Sequence, residues 1–278
     1  MIGVESSRVM RAAPRKAVGR VEASVPWDFS RKYAAVHHSG TISVENARKR
    51  SKIGRVMKVE TFETPQDAAK ALAGEVAELI RTRAAEGKNV VLGLATGATP
   101  LPFYAELVRM HKEEGLSFAN VISFNLDEYS GLDRDHPESY WYFMHTNLFN
   151  HIDIKPENIN LPSGTVKDDE IAAHCAAYEQ KIKDCGGIDL QILGIGRTGH
   201  IGFNEPGSDD TTVTRQVHLD ELTRSDAAPA FGGIENVPTT AITMGVATIM
   251  GAREVALMAW GEKKASIVKK AVQGPVTV

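Results

Sequence analysis

From residue 57 onward the apolar and polar positions of the chain switch repeatedly between two periods. VMKVETFE (56–63) alternates in polarity, as a half-buried strand does. TPQDAAKALAGEVAELIRTRAAEG (64–87) then places Ala68, Leu72, Val76, Leu79 and Ile80 at helical spacing. Its start is marked by Thr64 at the N-cap, Pro65 in the first turn and Asp67 completing a capping box, and Gly87 ends it. NVVLGLA (89–95) is a short continuous apolar run, the pattern of a strand buried on both faces of a parallel sheet. A helical PFYAELVRMHKEEG and a second buried run, ANVISFNL, follow. The cycle recurs as IAAHCAAYEQKIKDCGG into DLQILGIG, and as REVALMAWG into EKKASIVKKAVQG. Repeated strand–helix units of this kind predict an α/β fold: a doubly wound, mostly parallel sheet flanked by helices, forming a single domain.

Composition bounds the class. The 278 residues are 42% hydrophobic and 24% charged, an ordinary globular balance, and no apolar run approaches the roughly 18 residues of a membrane span. Two cysteines, Cys175 and Cys185, are too few for a disulfide scaffold and read as thiols in a reducing, cytoplasmic setting. Charge divides the chain. Residues 1–58 hold 13 Lys and Arg against 4 Asp and Glu, a net of +9, whereas residues 59–278 carry −12. Residues 1–56 are therefore expected to be a basic, flexible extension. A nucleic-acid arm, a transit peptide and translation upstream of Met57 are its alternative readings. The acidic remainder, 57–278, argues against nucleic acid as the main partner.

In doubly wound folds the chemistry lies at the carboxyl ends of the strands. Four loops qualify. TGATP (96–100) offers glycine, hydroxyls and a helix start, which suit a phosphate, although plain strand-to-helix turns look similar. FNLDEY (124–129) places Asp127 and Glu128 at a strand end. Neighbours on a strand point oppositely, so one of the two is expected in the cleft, or both are capping or surface carboxylates. GRTGHIGFNEPGS (196–208) holds His200 among Gly194, Gly196, Gly199 and Gly202, with Glu205 as a carboxylate able to orient the ring. A lone histidine bonded within a tight turn is the simpler alternative. GEKKA (261–265) presents Lys263 and Lys264 where they oppose the helix dipole, which makes sense if one faces an anion. Together these loops suit a small phosphorylated substrate undergoing proton transfer beside a carbonyl, with no metal or nucleotide motif.

LATGATP, FNLDEY followed by HPESYWYFM, ENINLPSG, GHIGFNEP and ITMGVATI occur in that order, and the chain from Met57 to its last residue resembles glucosamine-6-phosphate deaminases. The resemblance implies aldose–ketose isomerisation with deamination, turning glucosamine 6-phosphate and water into fructose 6-phosphate and ammonia without a cofactor. By the same resemblance Asp127 is the general base between C2 and C1, His200 assists ring opening, and Glu205 works with that histidine. Gly97, Ala98, Thr99, Gly199 and Lys264 fall on substrate-binding positions. The expected partners are a small sugar phosphate and further copies of the chain, with neither membrane nor nucleic acid involved.

Three departures accompany the resemblance. Thr198 stands where many members carry aspartate, which implies slower ring opening. The activator site of regulated members is matched at Ser208 and Arg215 but has Val217 in place of lysine, and DAAPAF holds no counterpart of a phosphate-binding arginine. The chain also stops at AVQGPVTV, several dozen residues early, as a C-terminally truncated piece of a longer two-domain protein would. A 6-phosphogluconolactonase-like hydrolase and a non-catalytic sugar-phosphate sensor are the alternatives. The carboxylates of FNLDEY and GHIGFNEP favour the deaminase over both.

Overall fold

A computed structural model describes residues 21–23, 32–37 and 57–274, the first two segments through their backbone alone. The elements run β1 (Val21–Ala23), β2 (Lys32–His37), β3 (Met57–Phe62), α1 (Pro65–Ala85), β4 (Val90–Leu94), α2 (Leu101–Glu114), β5 (Val121–Asn125), β6 (Asp127–Tyr129) and α3 (Tyr140–Asn147). They continue with β7 (Ile159–Asn160), α4 (Ile171–Asp184), β8 (Leu190–Leu193), β9 (Arg215–His218), α5 (Glu221–Phe231), β10 (Thr240–Thr243), α6 (Val246–Met250), β11 (Glu254–Ala259) and α7 (Ala265–Gln273).

Eight strands form one sheet in the order β1-β3-β2-β11-β8-β4-β5-β7, and every neighbouring pair except β1–β3 is parallel. The expected doubly wound sheet is therefore present. Two of its strands, β1 and β2, fall inside the stretch expected to be a flexible tail. The apolar centre of KYAAVH suits β2, and the charge count over 1–58 hid it; the remainder of 1–56 lies outside the described residues. A second, antiparallel sheet in the order β6-β10-β9 had no counterpart in the sequence reading.

The strand period explains the two faces. Val90, Leu92 and Leu94 point to one side and meet Leu72, Val76 and Ile80 of α1 with Phe103, Tyr104 and Leu107 of α2. Val91 and Ala95 point to the other and meet Tyr178 and Ile182 of α4. The N-cap half of the capping box forms as read, with Asp67 N–H donating to Thr64 Oγ1 at 3.1 Å; the return bond comes to Asp67 Oδ2 from the Thr64 hydroxyl, at 2.7 Å, in place of the backbone N–H. Cys175 and Cys185 are free thiols. Among the described residues no helix is long and apolar enough to cross a membrane.

The large sheet is locked at its amino-terminal edge by Asp189, which is buried. Its Oδ1 accepts from Arg83 of α1 at 2.6 Å and from Arg253 at 2.7 Å, and its Oδ2 accepts the Val91 N–H at 2.9 Å. One carboxylate thus ties a helix, two strands and the approach to β11 together.

Candidate active site

The four loops picked out by position meet at the carboxyl ends of β4, β5, β8 and β11. Trp260, just past β11, donates its indole N–H to the Thr99 carbonyl at 2.7 Å. Lys264 donates from Nζ to the Ile195 carbonyl, past β8, also at 2.7 Å. Gly97 and Ala98 are exposed, and no side chain caps the start of α2, so the helix N-terminus stays open toward the loop. Of the two lysines in GEKKA, Lys263 is exposed, whereas Lys264 is half-buried. Burial, with a smaller push from Arg197, holds the Lys264 amine below the usual lysine range.

At β6 the structure separates the two carboxylates. Glu128 Oε1 accepts the N–H groups of Tyr129 and Tyr140, and Oε2 accepts that of Trp141, each at 2.9 Å. Glu128 is therefore spent on the exposed N–H groups at the start of α3, where a negative charge is stabilised. Burial still pushes its carboxyl up to about 6 against those three bonds. Asp127 is buried on the opposite side of the strand and accepts no such bond among the described residues. Burial first, and the neighbouring Glu128 charge second, push it up to about 8. The two neighbours thus differ as strand alternation predicts: Glu128 is taken up by backbone N–H groups, and Asp127 is the carboxylate left without such bonds among the described residues.

The histidine loop packs against this base. A Cβ on Gly202, whose φ is +58°, would stand 3.4 Å from Asp127 Oδ2 and 2.8 Å from Thr243 Oγ1. Gly196 is required by proximity of another kind, since a Cβ there would overlap the His200 imidazole. His200 Nδ1 lies 3.0 Å from Glu205 Oε1, so the carboxylate partner is the one expected.

Two hydroxyls complete the cluster. Thr198 Oγ1 donates to Glu205 Oε2 at 2.6 Å and sits 3.0 Å from His200 Nδ1. Thr223 Oγ1, from α5, donates to Glu205 Oε1 at 2.7 Å. Each hydroxyl has one proton and gives it to Glu205, so Thr198 can only accept from Nδ1. Every neighbour of Nδ1 is then an acceptor. This assigns a proton to Nδ1 and leaves Nε2 as the nitrogen not engaged by these partners. Thr223 had no signal in the sequence, because it lies 18 residues beyond Glu205 in a helix without a motif.

Thr198 also reads differently in place. The slower ring opening expected from it assumed a missing charge, but Glu205 supplies that charge directly to the ring. An aspartate at 198 would add a second carboxylate beside Glu205, whose charge the ring already meets, and the two would repel each other. We therefore expect Thr198→Asp to give no gain in kcat, and Thr198→Val to lower kcat by roughly 3- to 10-fold through the lost hydrogen bond. Steady-state rates of the two variants check this, and a faster Thr198→Asp enzyme would restore the missing-charge explanation.

The activator-site positions are accounted for locally. Ser208 donates to the Glu205 carbonyl at 2.7 Å, and Arg215 donates to Asn204 Oδ1 at 2.8 Å. Val217 packs with Tyr129 and Phe203 beneath the small sheet, where its apolar side chain is needed. Among the described residues no cluster of His, Cys, Asp or Glu could hold a metal ion.

Known proteins resemble the chain in sequence and in fold. A glucosamine-6-phosphate deaminase-like protein of Bacteroides thetaiotaomicron is 46% identical over 235 residues, covering 84% of this chain, and the chain spans 35% of that protein's length. Glucosamine-6-phosphate deaminases of Thermoanaerobacter and Lysinibacillus sphaericus are 48% and 52% identical, covering 74% and 68% of this chain and 81% and 79% of theirs. A solved structure described as a monomeric glucosamine-6-phosphate deaminase superposes with a TM-score of 0.73 at 42% identity, over 77% of this chain and 86% of that one. A 6-phosphogluconolactonase of Trypanosoma brucei shares the fold at 20% identity and a TM-score of 0.60, over 76% of this chain and 84% of its own. The sequence pattern described as glucosamine-6-phosphate isomerases/6-phosphogluconolactonase matches residues 63–277. With the strand-end loops and the paired imidazole and carboxylates on that same stretch, the chain belongs to the glucosamine-6-phosphate isomerase/6-phosphogluconolactonase family.

Proposed function

We propose that the protein is a glucosamine-6-phosphate deaminase, converting glucosamine 6-phosphate and water into fructose 6-phosphate and ammonia. The observation that carries this reading is Asp127: a buried carboxylate pushed up to about 8, placed beside a histidine–glutamate pair. Lactone hydrolysis has no use for a base poised to move a carbon-bound proton, whereas isomerisation depends on one. Relatives 46–52% identical that bear the deaminase name support the same substrate.

In this reading the open start of α2, with Gly97, Ala98, Thr99 and Lys264, binds the phosphate far from the reacting carbons and so supplies binding energy to the chemistry. His200, steadied by Glu205, gives its Nε2 proton to the ring oxygen, and the sugar opens. Asp127 then takes the C2 proton of the open-chain amino aldose and a proton is returned to C1, leaving a C2 imine that water converts to the ketone and ammonia. Gly199 lets the loop approach the sugar closely.

The free thiols support a reducing, cytoplasmic setting. A monomer, as the solved relative is described, is the assembly proposed in place of the homo-oligomer expected from the resemblance. Residues 57–278 act as the catalytic unit. The test is to supply glucosamine 6-phosphate and measure ammonia and fructose 6-phosphate in equal amounts. Hydrolysis of 6-phosphogluconolactone without ammonia release would replace the reading with the lactonase, and sugar-phosphate binding with neither product would replace it with a sensor.

A further inference from the structure

Arg197 follows Gly196 in the histidine loop and has no part in the chemistry described above. Its guanidinium meets Asp226 of α5 at 2.8 Å, and both side chains are about half exposed. The Lys264 amine is close enough to feel both: Asp226 favours its charged form and Arg197 opposes it. Three charges so placed sum to +1. The two cations both belong to the region just past β8, Arg197 through its own backbone and Lys264 through its bond to the Ile195 carbonyl, and one carboxylate only partly offsets their repulsion.

We propose that Arg197 is a second cation of the substrate-phosphate site, and that Asp226 holds its guanidinium until phosphate displaces it. This rests on reading the TGATP loop and Lys264 as the phosphate cradle. The backbone gives the placement. Lys264 is bonded to the Ile195 carbonyl, two residues before Arg197, and a Cβ on Gly194 would stand 3.9 Å from the Thr99 side chain. Residues 194 and 195 therefore touch both the threonine loop and the lysine, and Arg197 follows two residues later in the same segment.

The chemistry favours an exchange of partners. A guanidinium fork fits two phosphate oxygens as well as it fits a carboxylate, and a phosphate monoester carries close to two negative charges at neutral pH against one on Asp226. An ion pair as exposed as Arg197–Asp226 is weak in water, so little opposes the transfer. Phosphate would also bridge Arg197 and Lys264, turning their repulsion into two attractions to one anion. Released Asp226 faces solvent at half exposure and needs no replacement partner.

Calorimetric titration with inorganic phosphate reads this site without turnover. Wild type should bind phosphate, and Arg197→Ala should weaken binding by about tenfold or more, the scale of a charge-assisted hydrogen bond. Arg197→Lys should recover part of the loss, because it restores the charge and not the fork. Asp226→Asn should tighten binding severalfold by removing the competitor. With glucosamine 6-phosphate, the Arg197→Ala effect should fall on KM more than on kcat. Equal phosphate affinity in Arg197→Ala and wild type would overturn the role of Arg197 while the cradle stands, and weaker binding in Asp226→Asn would overturn the exchange. A wild-type protein that binds no phosphate would overturn both the cradle and this proposal.

Discussion

Replacing Asp127 by Asn is expected to lower kcat by about 10²- to 10⁴-fold, the usual contribution of a positioned acid–base group, while raising the thermal midpoint at neutral pH. Both effects come from one fact, the burial of a carboxylate that accepts no hydrogen bond among the described residues. Unfolded, the group titrates near 3.8; folded, it is held at about 8. Between those values the native chain binds more protons than the unfolded one, so stability falls as pH rises through that window. The stabilisation is full below about pH 4 and gone above about pH 8, and by pH 7 the loss approaches ~4 kcal/mol as an upper bound. Asparagine has no charge to desolvate and should flatten the dependence. Thermal midpoints of wild type and Asp127→Asn measured from pH 4 to 8 check it, and parallel curves would remove Asp127 as the source. The same ionisation governs turnover. The base works only when deprotonated, so kcat/KM for the wild type should climb with pH until about 8.

Asp189→Ala should destabilise the fold by about 3–5 kcal/mol, the range for removing one member of a buried ionic cluster. The mutation leaves the guanidinium of Arg83 without its carboxylate 2.6 Å away and strips the acceptor from the buried Val91 N–H. Arg83 is itself only a quarter exposed, so water compensates it poorly. Asp189→Asn keeps an acceptor for Val91 and should cost less. Urea unfolding midpoints of the two variants rank them, and a loss under about 1 kcal/mol in Asp189→Ala would class the cluster with ordinary surface pairs.

The main sheet and its helices were legible because their signals are local. A capping box at Thr64, a continuous apolar run at 90–94 and a glycine after α2 each fix an element within a few residues. The small sheet was not legible, since RQVH and TAIT are four-residue strands that pair only with distant partners. The loops of the site could be found from their place after buried strands. Which carboxylate is left without backbone partners could not, because the answer lies in α3: Glu128 is taken up by the N–H groups of Tyr140 and Trp141, 12 and 13 residues away. The histidine's partner was readable from the spacing to Glu205. The second clamp, Thr223, was hidden by its 18-residue separation, and the pairing of Arg197 with Asp226 by one of 29 residues.

The chain leaves the large sheet at Asn125 and enters the small one at Asp127, with Leu126 alone between them. Leu126 donates its N–H to the Leu94 carbonyl and accepts the Met244 N–H, so one residue joins two cores of very different size. Cooperative units of unequal size open at unequal free energies. Asp127, the base proposed above, rides on the smaller of the two. Heat inactivation should therefore precede global unfolding, with amide exchange at Asp127–Tyr129 and Thr240–Thr243 quickening several degrees before that of Val90–Leu94. An enzyme built this way loses its activity first and its shape second, and cooling should restore both.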